Sequence, residues 1–420
     1  MLVNGPASVI LVAGKVSALG SMLSVDDRII VRKGRTVPFE AEEKSTLQVV
    51  LGLKGEIREV QGSTIPIAWT RAVNEILARP KPLTACIVGG VDRGKTTLCT
   101  YMANKAITHN ILTAVVDADV GQTSIGPPAT ISYGILTTHV TDLCTLRPTA
   151  IRFIGQTYPT DVLERVVHAL SWIAEQILKA EIPLTVVNTD GWIEGTPARE
   201  FKLTLLRKLR PDIVIGIQFG EEAEHILLPA EAMGVRVFRV APSPQARTRD
   251  QDIRKELREQ GYLKYLKNAA LRSLPLNWIR FEDACFETIV ERDTNRIDTF
   301  QEKLRVRVLH FNETDREIII VIDNDLDPDR SAVDAMEEDM GKPIRLIKEG
   351  EEKGLLVGLL NQDHQYLSLG VVHSIDYRTR TIKLFTPYKE KIDAIQLGRV
   401  RVDKYGRELG TTAVFTSKTA

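Results

Sequence analysis

The segment from Leu83 to Cys99, LTACIVGGVDRGKTTLC, constrains this chain more than any other. An apolar run, Leu83 to Val88, leads into Gly89-x-x-x-x-Gly94-Lys95-Thr96. The residues after Thr96 have helix-forming composition and apolar side chains at helical spacing. Strand, glycine loop and helix thus stand in the order a phosphate-binding loop requires. Glycines let backbone N–H groups curl around phosphate oxygens, and the next helix aims its positive dipole end at them. Lys95 is expected to reach the β- and γ-phosphates of a nucleoside triphosphate, and the Thr96 hydroxyl to ligate Mg²⁺. A glycine turn with a chance Gly-Lys-Thr is the bland alternative, and the strand and helix flanks speak against it.

At 420 residues the chain is too long for one ordinary domain. Its 43% hydrophobic and 26% charged residues are those of a globular protein with sizeable cores. Net charge is zero, so no overall field attracts nucleic acid, and any such surface must be a local patch. Cys86, Cys99, Cys144 and Cys285 include no C-x-x-C pair, which argues against a disulfide framework or structural zinc. The start of the chain lacks a basic stretch before its apolar residues, and no apolar run approaches transmembrane length. A soluble cytoplasmic protein with no membrane contact is expected.

Residues 1–75 read as β-rich, with short apolar stretches (SVILVAG, RIIVRKG, TLQVVLGL) broken by glycine and proline. RAVNEILARPKP suggests a short helix and a linker. From residue 76 to 272 strands alternate with helices. The strands are TACIVG, LTAVVDA, PLTVVNT, DIVIGIQF and VRVFRV, and the helices lie near 94–108, 160–180, 196–210, 220–233 and 249–270. That alternation predicts an α/β fold, a doubly wound, mostly parallel sheet with helices on both faces. Residues 273–420 return to β-like stretches, so β-rich domains are expected on both sides of the core.

The second core strand ends in Asp117-Ala-Asp119-Val-Gly121-Gln122. Strand ends of a doubly wound sheet open onto the ligand crevice. Carboxylates there can hold Mg²⁺ or accept a proton from an attacking hydroxyl. The third strand gives Asn188-Thr189-Asp190-Gly191-Trp192. A tryptophan in this position is more often a packing residue, but an indole at the crevice would offer a stacking face for a base. Between Arg247 and Arg272 basic residues outnumber acidic ones, and Arg254 and Arg258 share a helix face. Guanidiniums suit a transferring phosphoryl group or a nucleic-acid phosphate, although a solvated amphipathic helix explains the composition as well. An Asn-Lys-x-Asp guanine signature is missing, which argues against a signalling GTPase.

With these pieces in order, the chain resembles the polynucleotide 5′-hydroxyl kinase family of RNA processing. The resemblance rests on Gly-x-x-Asp-x-Gly-Lys-Thr-Thr (Gly89 to Thr97), Asp-x-Gly-Gln (Asp119, Gly121, Gln122) and Gly-x-Thr-x-Pro (Gly155, Thr157, Pro159). It rests also on Asn-Thr-x-Gly-Trp (Asn188, Thr189, Gly191, Trp192), on Arg249-x-x-x-x-Arg254 and on the tail stretches GLLVGLLNQDHQYLSLGVV and LGRVRVDKYGRELG. It implies a P-loop kinase using ATP and Mg²⁺ on the 5′-hydroxyl end of RNA, with single-stranded DNA as an open second acceptor. Nucleotide binding would fall to Gly89, Gly90, Val91, Asp92, Arg93, Gly94, Lys95, Thr96 and Thr97. Thr96 would ligate the metal, Asp119 would either accept the proton of the attacking 5′-hydroxyl or bind the metal's water shell, and Lys95, Asp119, Arg249 and Arg254 would be catalytic. Gln122, Thr189 and Trp192 would hold the acceptor, Trp192 by stacking on its terminal base.

The sequence departs from the family at Gly90, where many relatives carry proline, and at Arg93, Gln156 and Tyr158. Two other readings stay open: an RNA-processing scaffold that binds ATP without turnover, and a small-molecule kinase. The completeness of Lys95, Thr96, Asp119, Thr189, Trp192, Arg249 and Arg254 favours an active enzyme.

Overall fold

The computed structural model describes residues 1–246, 248–282, 294–313, 317–323 and 327–412; Arg247 and Cys285 lie outside them. The chain divides into two compact units. One is Met1–Arg152 with Tyr158–Arg258; the other is Phe153–Thr157 with the chain from Glu259 onward.

The first unit begins with three small antiparallel sheets. The strand Ala7–Ala13 lies between Arg28–Val31 and Thr46–Leu51, and its burial alternates so that Ala7, Val9 and Leu11 face inward. This is the period-two pattern of a sheet with one face on a core. Val3, Val16, Val37 and Phe39 complete that core.

The core elements follow in chain order. They are α1 (Ile67–Leu77), β1 (Leu83–Gly89), α2 (Lys95–Thr108), β2 (Thr113–Ala118), β3 (Thr130–Leu136), β4 (Ala150–Phe153) and α3 (Leu163–Lys179). Then come β5 (Leu184–Thr189), α4 (Gly195–Leu209), β6 (Ile213–Ile217), α5 (Glu224–Ala232), β7 (Arg236–Val240) and α6 (Gln251–Tyr265). One sheet forms in the order β4-β3-β2-β5-β1-β6-β7. The pairs β2/β5, β5/β1, β1/β6 and β6/β7 are parallel, and β2/β3 is antiparallel. β2, β5 and β6 are buried along their whole length, as strands covered on both faces must be. The α/β core inferred from the alternation is therefore present.

β3 and β4 were not anticipated from the sequence. Gly134 interrupts the apolar pattern of β3, and it is needed there because an added Cβ would meet Arg147 O and the Leu146 side chain at 2.8 Å. α5 starts later than expected, because residues 220–223 form a turn closed by Ala223 N donating to Gln218 Oε1 at 3.0 Å.

The second unit holds a seven-stranded sheet. Its order is Ala270–Pro275, Thr381–Thr386, Tyr366–Asp376, Leu355–Leu360, Ala394–Val402 and Arg280–Glu282, with Glu408–Thr411 also pairing to Ala394–Val402. Val357, Leu359, Val372, Leu384 and Ile395 form its core. Gly155 lies in this unit with φ +78°, and an added Cβ would meet Gly398 Cα at 2.5 Å. A smaller sheet, Val308–Glu313, Ile318–Ile322 and Ile344–Lys348, packs with two helices, Thr294–Leu304 and Arg330–Met340. Neither helix was expected. Each is short and mostly polar, and Phe300, Leu304, Val333 and Met336 are too few inward residues to mark a helical stripe clearly. Among the described residues no helix is long and apolar enough to cross a membrane.

Trp69 of α1 ties the phosphate loop to the rest of the first unit. It is fully buried, its Nε1 donates to Ala241 O at 2.8 Å, and an added Cβ at Gly94 would lie 3.1 Å from its ring. Trp69→Ala should lower the unfolding free energy by about 3–5 kcal/mol, the usual cost of emptying a large aromatic site. Denaturant unfolding of the whole chain checks it; a loss within 1 kcal/mol, about the value of one hydrogen bond, would show that the site closes without the ring.

Candidate active site

The loop after β1 is shaped by its backbone. At Gly89 an added Cβ would meet Ile217 O at 2.4 Å, so the strand can leave the sheet there only as glycine. Asp92 (φ 59°) and Gly94 (φ 92°) are left-handed, and Gly94 precedes the first turn of α2 without a side-chain cap. The first N–H groups of α2 thus stay free for an anion, and no acidic residue stands in that turn to repel one. Gly90 has no Cβ neighbour closer than 3.5 Å, so that position has room for a side chain.

Lys95 is buried and its Nζ donates to Gly90 O at 2.7 Å. Burial pushes its ammonium down to about 8, against the pull of Asp119. Thr96 and Thr97 are half-buried in the same turn, and Val91 is exposed at the loop's crest. Arg93 points elsewhere. Its Nε and Nη2 donate to the two carboxylate oxygens of Glu222 at 2.7 Å each, and its guanidinium lies 4.8 Å from the Phe219 ring centre. The extra loop charge is therefore matched by a carboxylate, and Arg93 contributes backbone only to the loop's concave side.

β2, β5 and β1 are neighbours, so their C-terminal ends meet around this loop. Asp117 is fully buried and accepts from Ser124 N (2.5 Å), Ile125 N (3.2 Å) and Asn188 Nδ2 (3.2 Å). Burial pushes its carboxyl up to about 6 against those bonds. Asp119 uses Oδ1 to accept from Gly121 N (3.1 Å) and Gln122 N (2.9 Å). Its carboxyl is raised first by burial and then by the Asp190 charge, with Lys95 opposing. Asn188 Nδ2 also reaches Thr96 Oγ1 at 3.3 Å, and its buried Oδ1 has no hydrogen-bond partner. One amide thus spans the Thr96 hydroxyl and the Asp117 carboxylate, a set of hard oxygens suited to Mg²⁺. Among the described residues no group of three or more His, Cys, Asp or Glu could hold a metal alone. Mg²⁺ fits such a sparse site, because it usually takes one or two protein oxygens and completes its shell with water and phosphates.

The arginine segment converges on the loop. Asp92 Oδ2 accepts from Arg254 Nη2 at 2.7 Å and from Arg249 N at 2.7 Å, and Arg249 Nη1 lies 3.8 Å from Asp92 Oδ1. Gln122 Nε2 donates to Arg254 O at 3.3 Å. Lys95, Asp119, Gln122, Arg249 and Arg254 are thereby gathered around one loop.

Thr189 and Trp192 fare differently. Thr189 is fully buried and its hydroxyl donates to Ile87 O at 2.8 Å, tying β5 to β1; its side chain does not reach the crevice. Trp192 is half-buried at the following turn and stacks on Phe201 of α4, ring centres 6.0 Å apart. Gly191 lets this turn touch the loop, since an added Cβ would lie 2.8 Å from Val91 Cα and 2.9 Å from Val91 N. Under the turn lies a buried ion pair, Lys202 Nζ to Asp190 Oδ2 at 2.5 Å, and Asp190 Oδ1 accepts from Trp192 N at 2.9 Å.

Sequence reasoning missed Lys202, Glu222 and the second role of Asp92. Lys202 left a usable signal: it sits in line with Ala198, Leu205 and Leu206 on the apolar face of α4, where a lysine must find a partner. Glu222 left none, because a carboxylate in a turn is ordinary.

Residues 89–268 match the family described as mRNA cleavage and polyadenylation factor CLP1 P-loop. The polyribonucleotide 5′-hydroxyl-kinase of Methanocaldococcus jannaschii is 30% identical over 354 residues, covering 82% of this chain and 94% of that protein. This chain belongs to the polyribonucleotide 5′-hydroxyl-kinase family. The member from Pyrococcus horikoshii is 29% identical, covering 81% of this chain and 91% of its own length. The solved structure of Clp1p in its complex with Pcf11p shares the fold, with TM-score 0.62 at 12% identity over 96% of this chain and 97% of that one.

In this member of the kinase family, Lys202→Met strands the buried Asp190 carboxylate and should cost about 3–5 kcal/mol of stability. Adding Asp190→Asn should recover most of that loss, because the unpaired charge is then gone. Denaturant unfolding of the single and double variants gives the comparison; a double variant no better than the single would mean that the pair acts by packing and not by charge.

Proposed function

We propose that this chain is an ATP-dependent polynucleotide 5′-hydroxyl kinase, transferring the γ-phosphoryl group to the 5′-hydroxyl end of RNA, with single-stranded DNA as a second acceptor. The observation that carries the reading is the gathering of Lys95, Asp119, Arg249 and Arg254 around one phosphate loop. The kinase core is read as residues 76–272, flanked by residues 1–75 and 273–420, in a cytoplasmic protein.

The phosphates of ATP lie on the free N–H groups at the start of α2. Polyphosphate beside Lys95 raises its proton affinity again, so the ammonium stays charged where β/γ charge develops. Thr96 would ligate Mg²⁺, with Asp119 at most touching its water shell, and the bound ion would neutralise charge on the phosphate oxygens. The acceptor's 5′ oxygen attacks the γ-phosphorus, the bond to the β–γ bridging oxygen breaks, and ADP departs. Asp119 takes the hydroxyl proton. Its raised carboxyl makes it a better base than an exposed aspartate at the same pH. Arg249 and Arg254 supply positive charge to the transferring group, a contribution worth roughly 10³-fold or more in such reactions. Trp192, held by Phe201, offers a stacking face worth about 1–3 kcal/mol per base.

A scaffold that binds ATP without turnover needs neither Asp119 nor the paired arginines, which is why the catalytic reading is preferred. Purified protein with Mg²⁺ and γ-labelled ATP should label a 5′-hydroxyl oligoribonucleotide, and Lys95→Ala should abolish the transfer. ATP binding without any transfer by the wild type would leave the scaffold reading. Asp119→Asn should reduce turnover far more than ATP affinity. Equal losses in the two would make Asp119 a nucleotide-holding residue only.

A further inference from the structure

Arg35, contributed by the N-terminal sheets, stands out among the cations of this site. Arg254 pairs with Asp92, Arg93 with Glu222 and Lys202 with Asp190, and Lys95 is tied to a carbonyl. Arg35 makes no ion-pair contact among the described residues, although, against burial, the carboxylates of Asp142 and Asp117, farther off, raise its proton affinity. Its guanidinium is half-buried and uses only Nη2, which donates to two neutral groups, Ser124 Oγ and Cys144 Sγ, at 3.2 Å each. Ser124 belongs to the turn that closes on Asp117, so Arg35 stands on the carboxylate side of the crevice.

The backbone that carries Arg35 is fixed from three directions. Arg35 N donates to Arg32 O at 3.0 Å and Arg35 O accepts from Gly5 N at 2.9 Å. Gly34 (φ +73°) rests against Leu257, whose Cδ2 would lie 3.0 Å from an added Cβ, and Lys33 pairs with Glu256. Leu257 and Glu256 are on the helix that carries Arg254. Arg35 and the lid arginines are thus held in one rigid arrangement. Burial and the nearby Arg35 charge both hold the Arg249 guanidinium below its ordinary proton affinity, which places the two cations close together.

The Nε and Nη1 of Arg35 make no hydrogen bond among the described residues, and a half-buried guanidinium with spare donors near a second cation is placed to take an anionic ligand. The ATP phosphates already have the loop, Lys95 and the two arginines tied to Asp92. We infer that Arg35 binds the first internucleotide phosphate of the acceptor strand, one nucleoside away from the reacting 5′-hydroxyl. The planar fork of arginine suits the two free oxygens of that phosphodiester. This contact distinguishes a polynucleotide from a free nucleoside by charge, with no dependence on the base. The inference rests on the kinase reading above.

The test compares wild type with Arg35→Gln on two 5′-hydroxyl oligoribonucleotides, one native and one with a neutral methylphosphonate at the first linkage. Arg35→Gln should raise KM for the native strand at least about tenfold, as expected for a lost charge-assisted contact. KM for ATP should stay within about twofold by the same scale, being an untouched contact. In the wild type the methylphosphonate should cost a similar factor, and in Arg35→Gln it should cost nothing further. A rise in KM for ATP instead, or losses that multiply, would overturn the assignment. Should Arg35→Gln not fold, Arg35→Lys and the wild-type comparison carry the same test: indifference of the wild type to the neutral linkage refutes it. Fluorescence anisotropy with the same two strands reads the contact without turnover. A wild type that transfers no phosphate but still prefers the charged linkage would therefore refute the kinase reading and leave the Arg35 contact standing.

Discussion

The carboxylate of Asp92 is the interaction on which the rest of the site depends. It sits in the phosphate loop on a left-handed backbone, and it accepts both the Arg254 guanidinium and the Arg249 backbone N–H. One loop residue therefore sets where the arginine segment lies. Gln122, at the turn after β2, meets Arg254 O and joins the carboxylate turn to the same assembly. Loop, carboxylates and arginines come from three separate stretches of sequence, and a few polar contacts make them one site. Because Asp92 is largely shielded from water, those contacts are worth more than surface pairs of the same length.

Arg35 aside, the buried charges around this centre are answered within the protein. Lys202 and Asp190 neutralise one another beneath the Trp192 turn, and Arg93 is matched by Glu222 beside the loop. The carboxyls of Asp117 and Asp119 are both raised by burial, one held by backbone N–H groups and the other beside Lys95. A polar interior of this kind is expensive in stability and persists where chemistry needs it.

The α/β core was legible because its signals are local. Parallel strands buried on both faces read as continuous apolar runs, and the glycine loop announces its own geometry. Lys95 and Asp119 could be named as candidates from residue type and position after a strand, and Arg249 and Arg254 from the family resemblance. The small helices after Ser273 were not, since each buries too few apolar side chains to leave a periodic mark. Thr189 illustrates a different limit. It stands at the strand end where a ligand contact is expected, yet its hydroxyl turns inward to Ile87 O, and the direction of a side chain is not written in the spacing. Contacts between distant segments, such as Asp92 with Arg254 or Arg35 with Ser124, are set by the fold and have no local trace.

Gly191 packs closely on Val91: an added Cβ would meet its Cγ2 at 2.7 Å, its Cα at 2.8 Å and its N at 2.9 Å. The turn that carries Trp192 and the phosphate loop are therefore in close contact, with only a glycine on one side. Such a junction has little volume to trade, so a larger residue at position 191 would have to push the turn or the loop aside. Changes in what the site accepts must come from side chains around its rim. On the kinase reading proposed above, this contact helps to set the distance between donor and acceptor.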